Sequence, residues 1–141
     1  MTPFGQRLRQ LRAERGITLK EMAQAIGVSP AYLSALEHGR RGRPGWHLVQ
    51  RIIACLNIIW DEAEELAELA RLSHPRVVID TSGLSPEATL LANLLARRID
   101  RLDTATIRDL LHVLEKAGPG REPIGLVEHG TRRPRSSAKS L

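Results

Sequence analysis

The chain has 141 residues, 42% of them apolar, which is enough for the core of one ordinary domain or of a small domain with an appendage. Phe4, Tyr32, Trp46 and Trp60 are its only aromatic residues, so the core must be aliphatic, which suits Leu-, Ala- and Ile-rich helices and argues against a β-sandwich. Net charge is +5 but unevenly spread: residues 1 to 60 hold nine Lys/Arg against three Asp/Glu, residues 61 to 118 seven against eleven, and residues 119 to 141 five against two.

A basic first segment points to phosphate binding, and an acidic middle would be repelled by a nucleic acid and should face away from it. The single cysteine, Cys55, excludes an internal disulfide; it lies among Ile52, Ile53 and Leu56 on an apolar helical face and reads as a core residue. No run approaches the ~20 apolar residues needed to span a bilayer, and the amino terminus lacks the apolar stretch of a signal peptide. The expectation is an all-α, cytoplasmic protein without membrane association.

In chain order, the first helix should open with Thr2 as cap and Pro3 as first residue, where a missing N–H costs nothing. Phe4, Leu8 and Leu11 at i, i+4 and i+7 face inward, and Arg7, Arg9, Arg12 and Arg15 occupy the other face as solvated basic residues, about one of which, nearest a helix end, is a candidate for a phosphate contact. A second helix is capped by Thr18 and buries Leu19, Met22, Ala23 and Ile26 at i, i+3, i+4 and i+7. Gly27 follows the last periodic residue, at a position that needs positive φ. Ser29 then caps a third helix with Pro30 in its first turn; Leu33 and Leu36 turn inward and Ala31, Ser34 and Ala35 outward. Two short helices joined by a tight turn, the second with a free outer face, make a helix-turn-helix.

The following stretch, His38 to Trp46, interleaves Arg40, Arg41 and Arg43 with three glycines and Pro44, so the backbone can approach a surface while the guanidinium groups project. A fourth helix over Trp46 to Leu56 supplies Leu48, Val49, Ile52, Ile53, Cys55 and Leu56 to the core, with Asn57 at its end. A fifth starts at Asp61, with Leu66, Ala67, Leu69 and Ala70 inward and five carboxylates near its first turns, opposing the positive end of the helix dipole. Ser73-His74-Pro75 ends it.

Arg15-Gly16-Ile17-Thr18, Glu21-Met22-Ala23, Gly27-Val28-Ser29, Tyr32-Leu33-Ser34, Leu36-Glu37 and Gly39 resemble the Cro and phage-repressor (XRE) family of bacterial DNA-binding regulators. The resemblance covers about Phe4 to Leu72 and implies a five-helix, lambda-repressor-like DNA-binding domain over residues 1–73. It also implies that the third helix, 29–37, enters the major groove, with Lys20, Ser29, Pro30, Ala31, Tyr32, Ser34 and Ala35 facing DNA. Arg40 and Arg41 would then lie beside the phosphates, and Arg43, just before Pro44, would reach the backbone or the minor groove. Where phage repressors carry glutamines at the starts of both helices, this sequence has Leu19 and Pro30, which puts transferred base contacts in doubt. The outward set lacks Arg, Asn and Gln, leaving a serine hydroxyl and apolar contact with thymine methyls for base reading. Tyr32 reads equally as a phosphate-bonding hydroxyl or as a partly packed ring.

Residues 74–118 form the second region. Val77, Val78 and Ile79 are β-like and would either pair with the same segment of a second subunit or run as an extended linker on helices. Ser85 and Pro86 open a helix through Leu102 with Ala88, Leu91, Leu95, Ile99 and Leu102 on one stripe beside Leu90 and Leu94. Asp103 caps another, with Ile107, Leu110, Leu111 and Leu114 at helical spacing, stopping at Gly118-Pro119. A helical hairpin with more leucine surface than it can cover suggests dimerisation through Leu91, Leu95, Ile99, Leu110 and Leu114, the other course being to fold back on the first domain. Residues 119–141, rich in Pro, Gly, Ser and basic residues, are expected to be a disordered basic tail that either adds non-specific DNA affinity or is only a solvated end.

The expectation is a sequence-specific transcriptional regulator acting as a homodimer on double-stranded DNA. The alternative is an antitoxin or other protein-binding module that engages a partner through its acidic middle segment and represses its own operon. No enzyme, cofactor or metal is expected: the five histidines show no ligand spacing, and nucleophile-elbow and phosphate-loop motifs are missing.

Overall fold

A computed structural model describes residues 1–118, and every described element is helical. The order is α1 (Pro3–Arg15), α2 (Leu19–Ile26), α3 (Pro30–Glu37), α4 (Trp46–Leu56), α5 (Trp60–Arg71), α6 (Pro86–Arg98), a 3-10 turn (Ile99–Arg101) and α7 (Thr104–Lys116). The chain divides into two units, the first running from Met1 to Val78 and the second starting at Ile79. The expected tail, 119–141, lies outside the described residues.

The first unit is built from caps that the sequence announces. Thr2 accepts from Gly5 N–H, Thr18 from Glu21 N–H and Ser29 from Tyr32 N–H, each satisfying a donor that the first helical turn leaves unpaired. Gly27 stands at φ +78 and Asn57 at φ +52, the left-handed conformations that end α2 and α4. The five helices close over Phe4, Leu8, Leu11, Met22, Ile26, Leu33, Leu36, Leu48, Val49, Ile52, Leu56, Ile58 and Leu66, all buried. Each such side chain contributes about 1.5–3 kcal/mol of transfer free energy, so this cluster decides the arrangement. Cys55 is half-buried against it, a peripheral rather than central core residue.

Contacts between distant segments hold the third helix in place. Gly5 lets α1 cross the end of α3 so closely that a Cβ there would stand 2.1 Å from the Glu37 carbonyl oxygen. That same oxygen accepts from Thr2 N–H at 3.0 Å and from the Thr2 hydroxyl at 3.2 Å. The buried Glu37 carboxylate accepts from Arg12 Nη2 at 2.8 Å. Phe4 N–H donates to Ser73 Oγ at 2.9 Å, and the Ser73 hydroxyl in turn donates to the Leu69 carbonyl, joining the start of α1 to the end of α5.

Several expectations need correction. Arg12 is not a solvated basic residue: its side chain is 11% exposed and commits its charge to Glu37. α5 starts at Trp60, one residue before Asp61, and Trp60 holds φ +53 with 80% of its surface exposed. A bulky residue in that region stores about 1–3 kcal/mol of backbone strain. Val77, Val78 and Ile79 are exposed and run without regular secondary structure within the single chain, as the extended-linker reading expects.

In the second unit Ser85 caps α6 through Ala88 N–H and Asp103 caps α7 through Thr106 N–H. The stripe expected to continue to Leu102 breaks at Arg98 into the 3-10 turn. Neither α6 nor α7 has a buried residue. Leu91, Ile99, Leu110 and Leu114 are exposed and Leu95 is half-buried.

Candidate nucleic-acid interface

The outer face of α3 is what remains once Leu33, Leu36 and Glu37 are buried. Ser29, Pro30, Ala31 and Tyr32 are exposed, whereas Ser34 and Ala35 are half-buried further along the same helix. The accessible end of α3 is therefore its first turn, and Ser34 and Ala35 sit at the margin of the face that the sequence predicts. The Ser29 oxygen accepts the Tyr32 N–H at 3.1 Å, which fixes the side chain and leaves its O–H as a donor. Lys20, in the first turn of α2, is exposed as well.

α3 is followed by a cationic loop whose course is set by its glycines. Gly39 and Gly42 adopt φ +77 and +74, and a Cβ on Gly39 would meet the Thr2 methyl at 2.9 Å. Pro44 is buried and pins the loop before α4, while Arg40 and Arg41 are exposed and Arg43 is half-buried. Arg40 N–H donates to the Ala35 carbonyl at 2.8 Å, so the loop starts directly from the helix end.

The decisive feature is the state of the cations. In α1, Arg12 is bound to Glu37, Arg15 Nε donates to the Leu56 carbonyl at 3.0 Å, and Arg7 lies 3.8 Å from both Glu62 and Glu65 of α5. Arg51 Nη1 donates to the Ile26 carbonyl at 3.0 Å. Lys20, Arg40, Arg41 and Arg43, by contrast, have no side-chain hydrogen bond or ion pair among the described residues. Four uncompensated cations thus belong to the helix-turn-helix and its following loop, and a phosphate-rich surface is the complement such a set can take. Of the α1 arginines only Arg9 lacks a carboxylate, its one contact being Met1 Sδ at 3.9 Å.

Sequence reasoning missed Glu37, Gly5 and Arg12 as the brace that orients α3. Their roles depend on how α1 crosses α3, which no local pattern encodes. It also did not single out Trp46, 64% exposed at the start of α4 with its ring edge-on to His47 at 5.3 Å. Among the described residues there is no group of three or more His, Cys, Asp or Glu placed to hold a metal ion, and no helix is long and apolar enough to cross a membrane.

Residues 3–69 match the family described as a helix-turn-helix domain. The HTH-type transcriptional regulator RghRB of Bacillus subtilis (strain 168) is 38% identical over 61 residues, 43% of this chain and 44% of that protein. The HTH-type transcriptional regulator SinR of the same organism is 35% identical over 55 residues, 39% of this chain and 50% of that protein. The solved N-terminal DNA binding domain of SinR from Bacillus subtilis overlays with a TM-score of 0.40 at 31% identity, covering 45% of this chain and 88% of that one. The chain thus spans half or less of the length of these curated relatives. Residues 3–69, with the capped α2, the Gly27 turn and the braced α3, form a helix-turn-helix domain of the Cro and phage-repressor-like (XRE) type.

Proposed function

We propose that the chain is a DNA-binding transcriptional regulator that lays the first turn of α3 in the major groove and its cationic loop along the backbone. The single observation that carries this reading is the contrast between the partnered arginines of α1 and the unpartnered Lys20, Arg40, Arg41 and Arg43 around α3. The names of the curated relatives, HTH-type transcriptional regulators, support it.

Base reading rests on little chemistry. Ser29 can donate its O–H to either partner, and Pro30 and Ala31 offer apolar contact to thymine methyls. Ser34 and Ala35 contribute where the groove closes on the helix, and Tyr32, 38% exposed, reaches a phosphate through its hydroxyl. Affinity is therefore mostly electrostatic, and part of the specificity comes from groove width sensed by Arg43.

The second unit pairs two chains: Leu91, Leu95, Ile99, Leu110 and Leu114 of α6 and α7 meet their copies, so that two α3 helices address half-sites about one helical turn apart. Residues 1–73 bind DNA, 74–118 join the copies, and a cytoplasmic location goes with this role. The antitoxin alternative gains less support, because Glu62 and Glu65 of the acidic α5 already face Arg7 of their own chain. Selecting genomic fragments on the full chain tests the proposal. Enriched fragments should share an inverted repeat with that spacing, and a chain that retains no duplex in dilute buffer would refute it.

A further inference from the structure

An exposed tryptophan on a rigid helix is costly in water and calls for an explanation. Trp46 is the first residue of α4, and 64% of its surface is open. Its backbone is anchored on both sides, by the buried Pro44 before it and by the buried Leu48 and Val49 after it. The ring stands edge-on to His47, with planes 79° apart and centroids 5.3 Å from one another, which narrows the orientations the indole samples. Its Nε1–H has no partner among the described residues. Three residues earlier stands Arg43, and Arg41 lies two further back, neither of them in an ion pair.

A flat, exposed ring with an unpartnered N–H, three and five residues after the unpaired Arg43 and Arg41, matches the surface of a nucleic-acid strand, where apolar sugar alternates with anionic phosphate. We infer that Trp46 is a further DNA contact of this chain, its ring lying against a deoxyribose and its indole N–H donating to the adjoining phosphate of the strand that the loop arginines follow. The inference rests on the DNA-binding reading and adds to it a contact that is not ionic. It therefore carries its own signature: losing Trp46 weakens binding but leaves the number of counterions released on binding unchanged, whereas losing an arginine also flattens the salt dependence.

The chain has only two tryptophans, so Trp60→Phe makes Trp46 the sole tryptophan in the full chain, read without Tyr32 by exciting the indole selectively. Titration of that variant with a random-sequence duplex about two helical turns long should shift Trp46 emission and shield it from acrylamide. Trp46→Ala, with its helical signal retained, should weaken binding roughly threefold to tenfold, the span of one hydrogen bond with its ring contact, at an unchanged salt slope. Trp46→Phe should recover part of the loss by restoring the ring alone. Saturating duplex that leaves Trp46 emission and quenching unaltered, or Trp46→Ala binding as tightly as the parent, would overturn the inference and leave the DNA-binding reading intact. Absence of any duplex binding by the parent would instead remove both.

Discussion

α3 and α6 open alike, with a serine cap, a proline in the first turn and leucines at helical spacing, yet they end in opposite circumstances. Leu33 and Leu36 of α3 are sealed in the core, while Leu90 and Leu91 of α6 are about three-fifths exposed, at 59% and 62%. The difference teaches that caps and periodicity make a helix, whereas its burial depends on what other segments bring to it. α1 brings Gly5, Thr2 and Arg12 to α3, and no described element seals α6 or α7. One unit buries its core leucines, and the other leaves most of its leucines exposed.

The largest expected effect attacks the first unit. Arg12→Ala would strand the buried Glu37 carboxylate and should cost about 3–5 kcal/mol, the penalty of breaking a buried pair from one side, measured by denaturant unfolding followed through the helical signal. A loss below about 0.5 kcal/mol, the level of an ordinary surface change, would mean that α3 is not braced through that pair. Leu91→Asp attacks the second unit and should leave this unfolding transition within about 0.5 kcal/mol of the parent. In sedimentation it should convert dimers to monomers, and a dimer that persists would place the contact on other residues.

The smallest effect concerns pH. The Asp103 carboxyl is held below its usual range by the Thr106 hydroxyl and, second, by the Thr106 N–H that it caps. A depressed folded pKa makes the cap's contribution complete above the ordinary aspartate range and removes it as pH falls through the folded value. Helical signal from α7 should therefore decline on acidification, and Asp103→Asn, which can still cap, should flatten that decline. A profile identical in the variant would detach the acid response from this residue.

Much of this was legible in the chain. Thr2, Thr18, Ser29, Ser85 and Asp103 all cap the helices they are expected to cap, because a cap is a local bond between residues three apart. The inward positions of α1 to α4 were legible for the same reason, as one face of a 3.6-residue period. The Arg12–Glu37 pair was not, since the partners lie 25 residues apart and Arg12 shares its face with three arginines that look identical in sequence. The candidate site was half legible: Lys20, Arg40, Arg41 and Arg43 could be named, but their lack of partners only emerges once the folded carboxylates are located. Trp46 could be placed at the start of the fourth helix, but its exposure depends on what the fold leaves uncovered.

The central claim is that the free cations around α3, and not the bound ones of α1, meet the phosphates. The most direct measurement is the slope of log affinity against log salt for the parent, for the triple variant Arg40→Ala, Arg41→Ala, Arg43→Ala, and for Arg7→Ala, all on one duplex. Each lost phosphate contact removes about 0.9 from the slope, so the triple variant should be shallower by up to about 2.7 and Arg7→Ala unchanged. A triple variant with the parental slope, or Arg7→Ala as shallow as the triple, would contradict it.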